Sequence, residues 1–167
     1  MIDHWTMFAG YNQWANALLY KAAGELSEKE LNRDTGAFFH SLFGTLTHLV
    51  VADQIWLYRL TGTGPSHAQL AARPFATLSE LHAARKETDQ RLIDFCAALT
   101  PEKTAGMLSY TRVSAPEPVH QPMGEALAHM FNHQTHHRGQ AHMILTVLGK
   151  PSLEMDLIFY QRRPRQA

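Results

Sequence analysis

The chain has 167 residues, 45% of them apolar, which is enough to fill one core and predicts a single domain over residues 1–167. Lys and Arg together number 15, as do Asp and Glu, so no field exists to gather phosphates or an anionic membrane, and nucleic acid is not an expected partner. A single cysteine, Cys96, excludes an internal disulfide and suits a reducing compartment; its expected role is a small buried apolar residue rather than a reactive thiol.

The opening Met1 to Thr6 lacks the basic start and unbroken apolar run of a signal peptide, so export is not indicated and the cytoplasm is the expected location. From Trp5 to about Ala23, Phe8, Tyr11, Ala15, Leu18 and Ala22 recur at three-and-four spacing and predict a helix ended by Gly24 and Ser27. A second helix is predicted from about Ala37 to Leu60, with apolar residues around most of its circumference, which makes it central. Within it, Leu46 to Leu60 is interrupted by His48, Asp53, Gln54 and Arg59, so it cannot span a bilayer. Thr61 to Pro74, punctuated by glycine and proline, reads as a long connection across the end of a bundle.

Thr77 or Ser79 caps a third helix that turns Leu78, Leu81, Leu92 and Phe95 inward and stops at Thr100-Pro101. Its mixed Arg, Lys, Glu and Asp residues read as a solvated face. Residues 106 to 122 predict an irregular excursion or a small hairpin. The fourth helix begins near Pro122 and stops before Gly149-Lys150-Pro151, and the tail from Leu153 to Tyr160 is expected to pack back as a cap. Arg162, Arg163 and Arg165 read as a frayed, solvated end. Four long helices without a strand-rich half predict an all-α bundle.

The densest chemistry lies on the fourth helix, where His129, His133, His136 and His137 crowd one segment. Met123, Ala126, Leu127, Met130, Ala141, Leu145 and Leu148 form its inward stripe, with His137 inside the stripe and His133 on its flank. His129 lies further out and His136 points to solvent. His133 and His137, four residues apart, project from one face about a turn apart, the spacing that one divalent metal needs. Position 134 is glutamine, so the helix is not that of a His-Glu-x-x-His protease. A third ligand must come from another helix, and His4, His40, His48, His67, His82 and His120 are candidates by composition. His48 is attractive because it lies in the most buried helix, on a side shared with the small residues Ser41, Thr45 and Ala52.

Asn132-His133-Gln-Thr-His-His137-Arg138-Gly139-Gln140, the earlier His48-Leu49-Val-Val-Ala-Asp53-Gln-Ile-Trp56-Leu57, the opening Tyr11-Asn12-Gln-Trp14-Ala15-Asn16 and the closing Asp156-Leu-Ile-Phe-Tyr160 together resemble the DinB-like metalloprotein family. The likeness covers nearly the whole chain in order. It implies an up-down-down-up four-helix bundle that holds a divalent metal with three histidines, placed at His48, His133 and His137. Zinc is the first expectation, with nickel, iron and manganese as alternatives.

Three neutral imidazoles leave a coordination position open for water or substrate. Asp53, Gln134 and Asn132 are candidates to orient ligand rings, with Asp53 ranked first and pairing with Arg138 or capping another element as its competing roles. His129 is a candidate support to the ligands. Arg138, Gly139 and Gln140 read first as structural, Gly139 allowing close helix packing. The resemblance further implies a metal-dependent S-transferase that activates a low-molecular-weight thiol toward a small electrophile. A hydrolase using metal-bound hydroxide and a metal-binding stress-response protein without turnover are the alternatives. A small-molecule substrate and a homodimer are the expected partners.

Overall fold

The computed structural model describes residues 2–164, so the expectation for Arg165 lies outside the described residues. Four long helices carry the fold: α1 (Ile2–Ala23), α3 (Leu42–Thr61), α4 (Leu78–Ala97) and α6 (Met123–Val147). Three short helices, α2 (Glu28–Leu31), α5 (Pro101–Ala105) and α7 (Leu157–Gln161), occupy connections and the tail. Strands β1 (Met107–Thr111) and β2 (Pro118–Pro122) form an antiparallel hairpin with Ser109 opposite His120, so the all-α expectation needs this small sheet added. Residues 62–77 carry no helix or strand and make the long connection.

The second long helix starts later than its composition suggests. Ser41 caps it by accepting from the Gly44 amide, and the preceding Ala37–His40 turn carries His40 at φ 65°, a left-handed conformation that no helix accommodates. Phe38 and Phe39 therefore sit in a turn, with Phe38 82% exposed. Gly44 is required there, since a side chain on it would run into the Phe39 carbonyl. Gly62, at φ 71°, ends α3 by donating its amide to the Tyr58 carbonyl. Thr77, not Ser79, caps α4. Ser27 and Glu30 form a reciprocal capping box on α2.

The long helices pack α1 against α4 and α6, and α3 against α4 and α6. Trp5 meets Phe131 and Asn12 meets Arg138, so α1 and α6 run the same way, whereas His48 meets His137 and Trp56 meets His129, so α3 opposes α6. The core has two apolar clusters. One gathers Leu19, Leu42, Leu46, Leu49, Leu81 and Leu145; the other gathers Ala9, Trp56, Leu57, Leu92, Cys96, Leu127 and Met130. Each fully buried leucine contributes roughly 1.5–3 kcal/mol of transfer free energy. Cys96 is completely buried, as its size and chemistry suggested.

Between the clusters every long helix turns polar: Asn12 and Asn16 on α1, Asp53 on α3, Arg85 and Asp89 on α4, and Gln134 and Arg138 on α6 are all buried. Arg85 donates to Asp53 at 2.7 Å and lies 2.9 Å from Asp89, while Asn16 donates to Asp89 at 3.0 Å. Gln134 donates to Asp53, and Arg138 donates to Asn12. This corrects the reading of the α4 charges as a solvated face. Arg85 and Asp89 lie on the inward stripe of Leu81 and Leu92, where the Arg85 cation meets two buried carboxylates. The tail packs back as expected, with the Tyr160 ring 6.0 Å from Tyr11 and 5.8 Å from Trp14.

Candidate metal centre

At the height of the polar layer, on the flank shared by α3 and α6, the rings of His48, His133 and His137 converge. One ring nitrogen of each lies within 4.8 Å of the others, and Nε2 of His48 is 3.3 Å from Nε2 of His133. Two nitrogens about 2.0–2.1 Å from a zinc ion at a tetrahedral angle stand about 3.3–3.4 Å apart, so this pair already has the spacing of two ligands of one ion. Helix geometry explains the convergence. His133 and His137 share one face of α6 a turn apart, and His48 approaches from the antiparallel neighbour with Phe39 stacked on its ring at 4.0 Å.

The electrostatics favour neutral imidazoles. Burial, reinforced by His137, pushes His48 down to about 4; burial, reinforced by the surrounding histidines, pushes His133 down to about 3. Burial also lowers His137, partly offset by its bond to Gln140. At neutral pH all three rings hold lone pairs for an electron acceptor. His137 points its Nδ1 at the Gln140 carbonyl oxygen, 2.6 Å away, which fixes the tautomer and leaves Nε2 as the donor atom. No carboxylate joins the cluster among the described residues, so the donor set is three neutral nitrogens, suited to a borderline divalent ion.

Several residues expected at the site stand elsewhere. His137 does not occupy the inward stripe: Gln134 and Arg138 do, and His133 and His137 flank it half-buried. Asp53 neither orients a ligand ring nor pairs with Arg138. Five residues along α3 from His48 it faces the opposite side, where Arg85 and Gln134 claim it. Gln134 is likewise committed, to Asp53 and to the Leu49 carbonyl, and Asn132 is exposed. Gly139 does not permit close packing, because a side chain there would meet nothing. Gln140 supplies the orienting oxygen that its place in the motif alone did not reveal, although its spacing of three residues from His137 on a helix makes the bond natural.

His129 lies beside His133 with centroids 5.8 Å apart but rests on Trp56, and His136 is exposed and bonded to Gln140. The remaining candidates are dispersed. His4 is exposed on α1, His40 pairs with Asp34, His67 bonds Gln54, His82 stacks on Tyr20 and His120 bonds Ser109. Of the third-ligand candidates, only His48 reaches the pair on α6.

A profile described as the DinB family matches residues 1–166. The chain belongs to the DinB family. It is similar to Protein DinB of Bacillus subtilis (strain 168), at 24% identity over 158 residues that cover 90% of this chain and 89% of that protein. This DinB-family chain thus carries a three-histidine cluster that is a candidate site for a divalent metal. No helix of the described residues is long and apolar enough to cross a membrane.

Proposed function

We propose that His48, His133 and His137 hold one divalent metal, zinc first, and that the protein is a metal-dependent S-transferase joining a low-molecular-weight thiol to a small electrophile. The observation that carries this reading is the approach of three neutral imidazoles from two helices, two of them with nitrogens 3.3 Å apart. A metal bound there would lower the pKa of a thiol or water brought to its open position. The chain's own residues do the rest: Gln140 fixes the His137 ring, and Phe39 shields one face of His48. Phe38, exposed beside Phe39 with centroids 4.9 Å apart, offers an apolar lip to an incoming electrophile.

The reading includes an up-down-down-up four-helix bundle, supported by the directions of the residue pairs between helices. It takes the protein as a single domain acting in the cytoplasm on a small molecule, and as a homodimer, which light scattering tests. The central experiment combines metal analysis of purified protein with a panel of small thiols and a model electrophile. The expected result is one ion per chain and thiol consumption that needs added metal and vanishes in His133→Ala. Ester or amide cleavage that ignores thiol would replace the transferase with a hydrolase. A tightly held ion with four protein ligands and no turnover would leave a binding protein.

A further inference from the structure

A second polar site lies away from the histidine cluster and shares no residue with it. Between α3, the crossover and the hairpin a cleft of about 320 Å³ opens, lined among others by Arg59, Ser66, His67, Ser109, Tyr110 and Thr111. That volume falls at the lower end of ordinary small-molecule pockets. The Arg59 guanidinium is half-buried and fixed over two aromatic rings, 4.6 Å from the Trp56 centroid and 4.3 Å from that of Tyr110. No carboxylate lines the cleft, and Arg59 has no ion pair or hydrogen bond among the described residues. The other buried or half-buried guanidiniums differ: Arg85 has Asp53 and Asp89, Arg91 donates to the Thr63 carbonyl, and Arg138 has Asn12 and Thr135.

A chain of bonds sets the polarity of the cleft wall. Thr88 donates its hydroxyl to the Ala84 carbonyl, so its oxygen accepts from the Gln54 amide; the Gln54 carbonyl then accepts from His67 Nε2 at 2.6 Å. In the neutral ring Nδ1 is left as an acceptor. Burial lowers the pKa of His67, so it adds no positive charge at neutral pH, and Arg59 is the one cation on the lining. A single held guanidinium with free N–H edges, flanked by hydroxyls and an acceptor, matches a monoanionic planar oxyanion better than a dianionic phosphate.

We propose that this cleft binds a small organic carboxylate through Arg59. The aromatic floor of Trp56 and Tyr110 pre-orders the cation, so little side-chain freedom is lost on binding. The site is independent of the metal reading and stands if that reading fails.

The test titrates the full chain with 4-hydroxybenzoate while following the Arg59 Nε–H and Trp56 indole N–H signals by two-dimensional NMR. Saturable shifts at both are expected, with affinity reduced at least about tenfold in Arg59→Gln, the loss of one charge-assisted pair. Arg59→Lys, which keeps the charge and guards against a folding defect, should lose a smaller factor because it lacks the planar fork. His133→Ala should bind the probe as the wild type does. Equal shifts with 4-hydroxybenzamide, tighter binding of phenyl phosphate, or unchanged affinity in folded Arg59→Gln would each overturn the proposal. So would the absence of any saturable shift.

Discussion

The polar layer between the two apolar clusters and the histidine cluster on its flank stand on neighbouring turns of the same helices, yet they treat their polar atoms in opposite ways. In the layer, two cations, two carboxylates and three amide side chains close on one another: Arg85 on Asp53 and Asp89, Arg138 on Asn12, Gln134 on Asp53. In the cluster, three imidazole nitrogens face one another with no anion among them. A closed network fixes how α1, α3, α4 and α6 are registered, because a slide of any helix strands a buried charge. An open one leaves donor atoms for something that is not protein. Local polarity alone does not distinguish the two; what matters is whether the charged groups find partners within the chain, for Arg85 Nε and Gln134 Oε1 stay unpartnered among the described residues even in the layer.

Mutations can break this contrast from either side. Asp53→Ala removes one of the two carboxylates that hold the buried Arg85 and should destabilise by about 3 kcal/mol in urea unfolding, with Asp53→Asn costing less because an acceptor remains. A loss below about 1 kcal/mol would show that the layer does not set the register. On the cluster side, Gln140→Ala should leave unfolding without metal nearly unchanged while weakening metal affinity about 10- to 100-fold in a competition titration with a chelator. Equal affinity would mean that His137 is oriented by packing alone.

The contrast also has a pH signature. Below about 6.5 the unfolded chain takes up protons at its histidines, whereas folded His48 and His133 resist until about 4 and about 3. The contribution of these two imidazoles to stability without metal is therefore full above pH 6.5 and falls as the pH drops toward 4, because the unfolded state binds more protons at them in that window, while buried Asp53, raised to about 6, acts in the opposite direction. Thermal melts in chelator should lose less stability on acidification in a double variant lacking both imidazoles than in the wild type. The smallest effect is expected at Gly139. This exposed helical position, where a side chain meets nothing, should gain about 0.5–1 kcal/mol in Gly139→Ala.

These two regions were unequally legible in the sequence. His133 and His137 declare themselves through helical spacing, because both candidate ligands lie on one element. His48 needed the family likeness, since periodicity within α3 says nothing about which α6 face it meets. On α4 the layer is hidden by composition, because a mixed run of charges resembles a solvated face. The signal was nevertheless there: Arg85 and Asp89 share the three-and-four spacing of Leu81 and Leu92, so they had to point inward with the leucines. The turn at Phe38–His40 was also hidden, because an apolar run before Ser41 continues the helical pattern until the cap and the left-handed His40 interrupt it. Caps and turns depend on single residues, and stripes average over many.

The burial of Cys96 bears on the proposed transferase chemistry. Its thiol, sealed in the core and pushed up to about 12 by desolvation, supplies almost no thiolate at neutral pH. A catalyst that works beside alkylating compounds risks inactivation by its own substrates, and this chain presents them no reactive sulfur of that kind. Sulfur lost in a turnover assay is then sulfur that was added, and the folded protein resists self-inflicted covalent damage at its one cysteine.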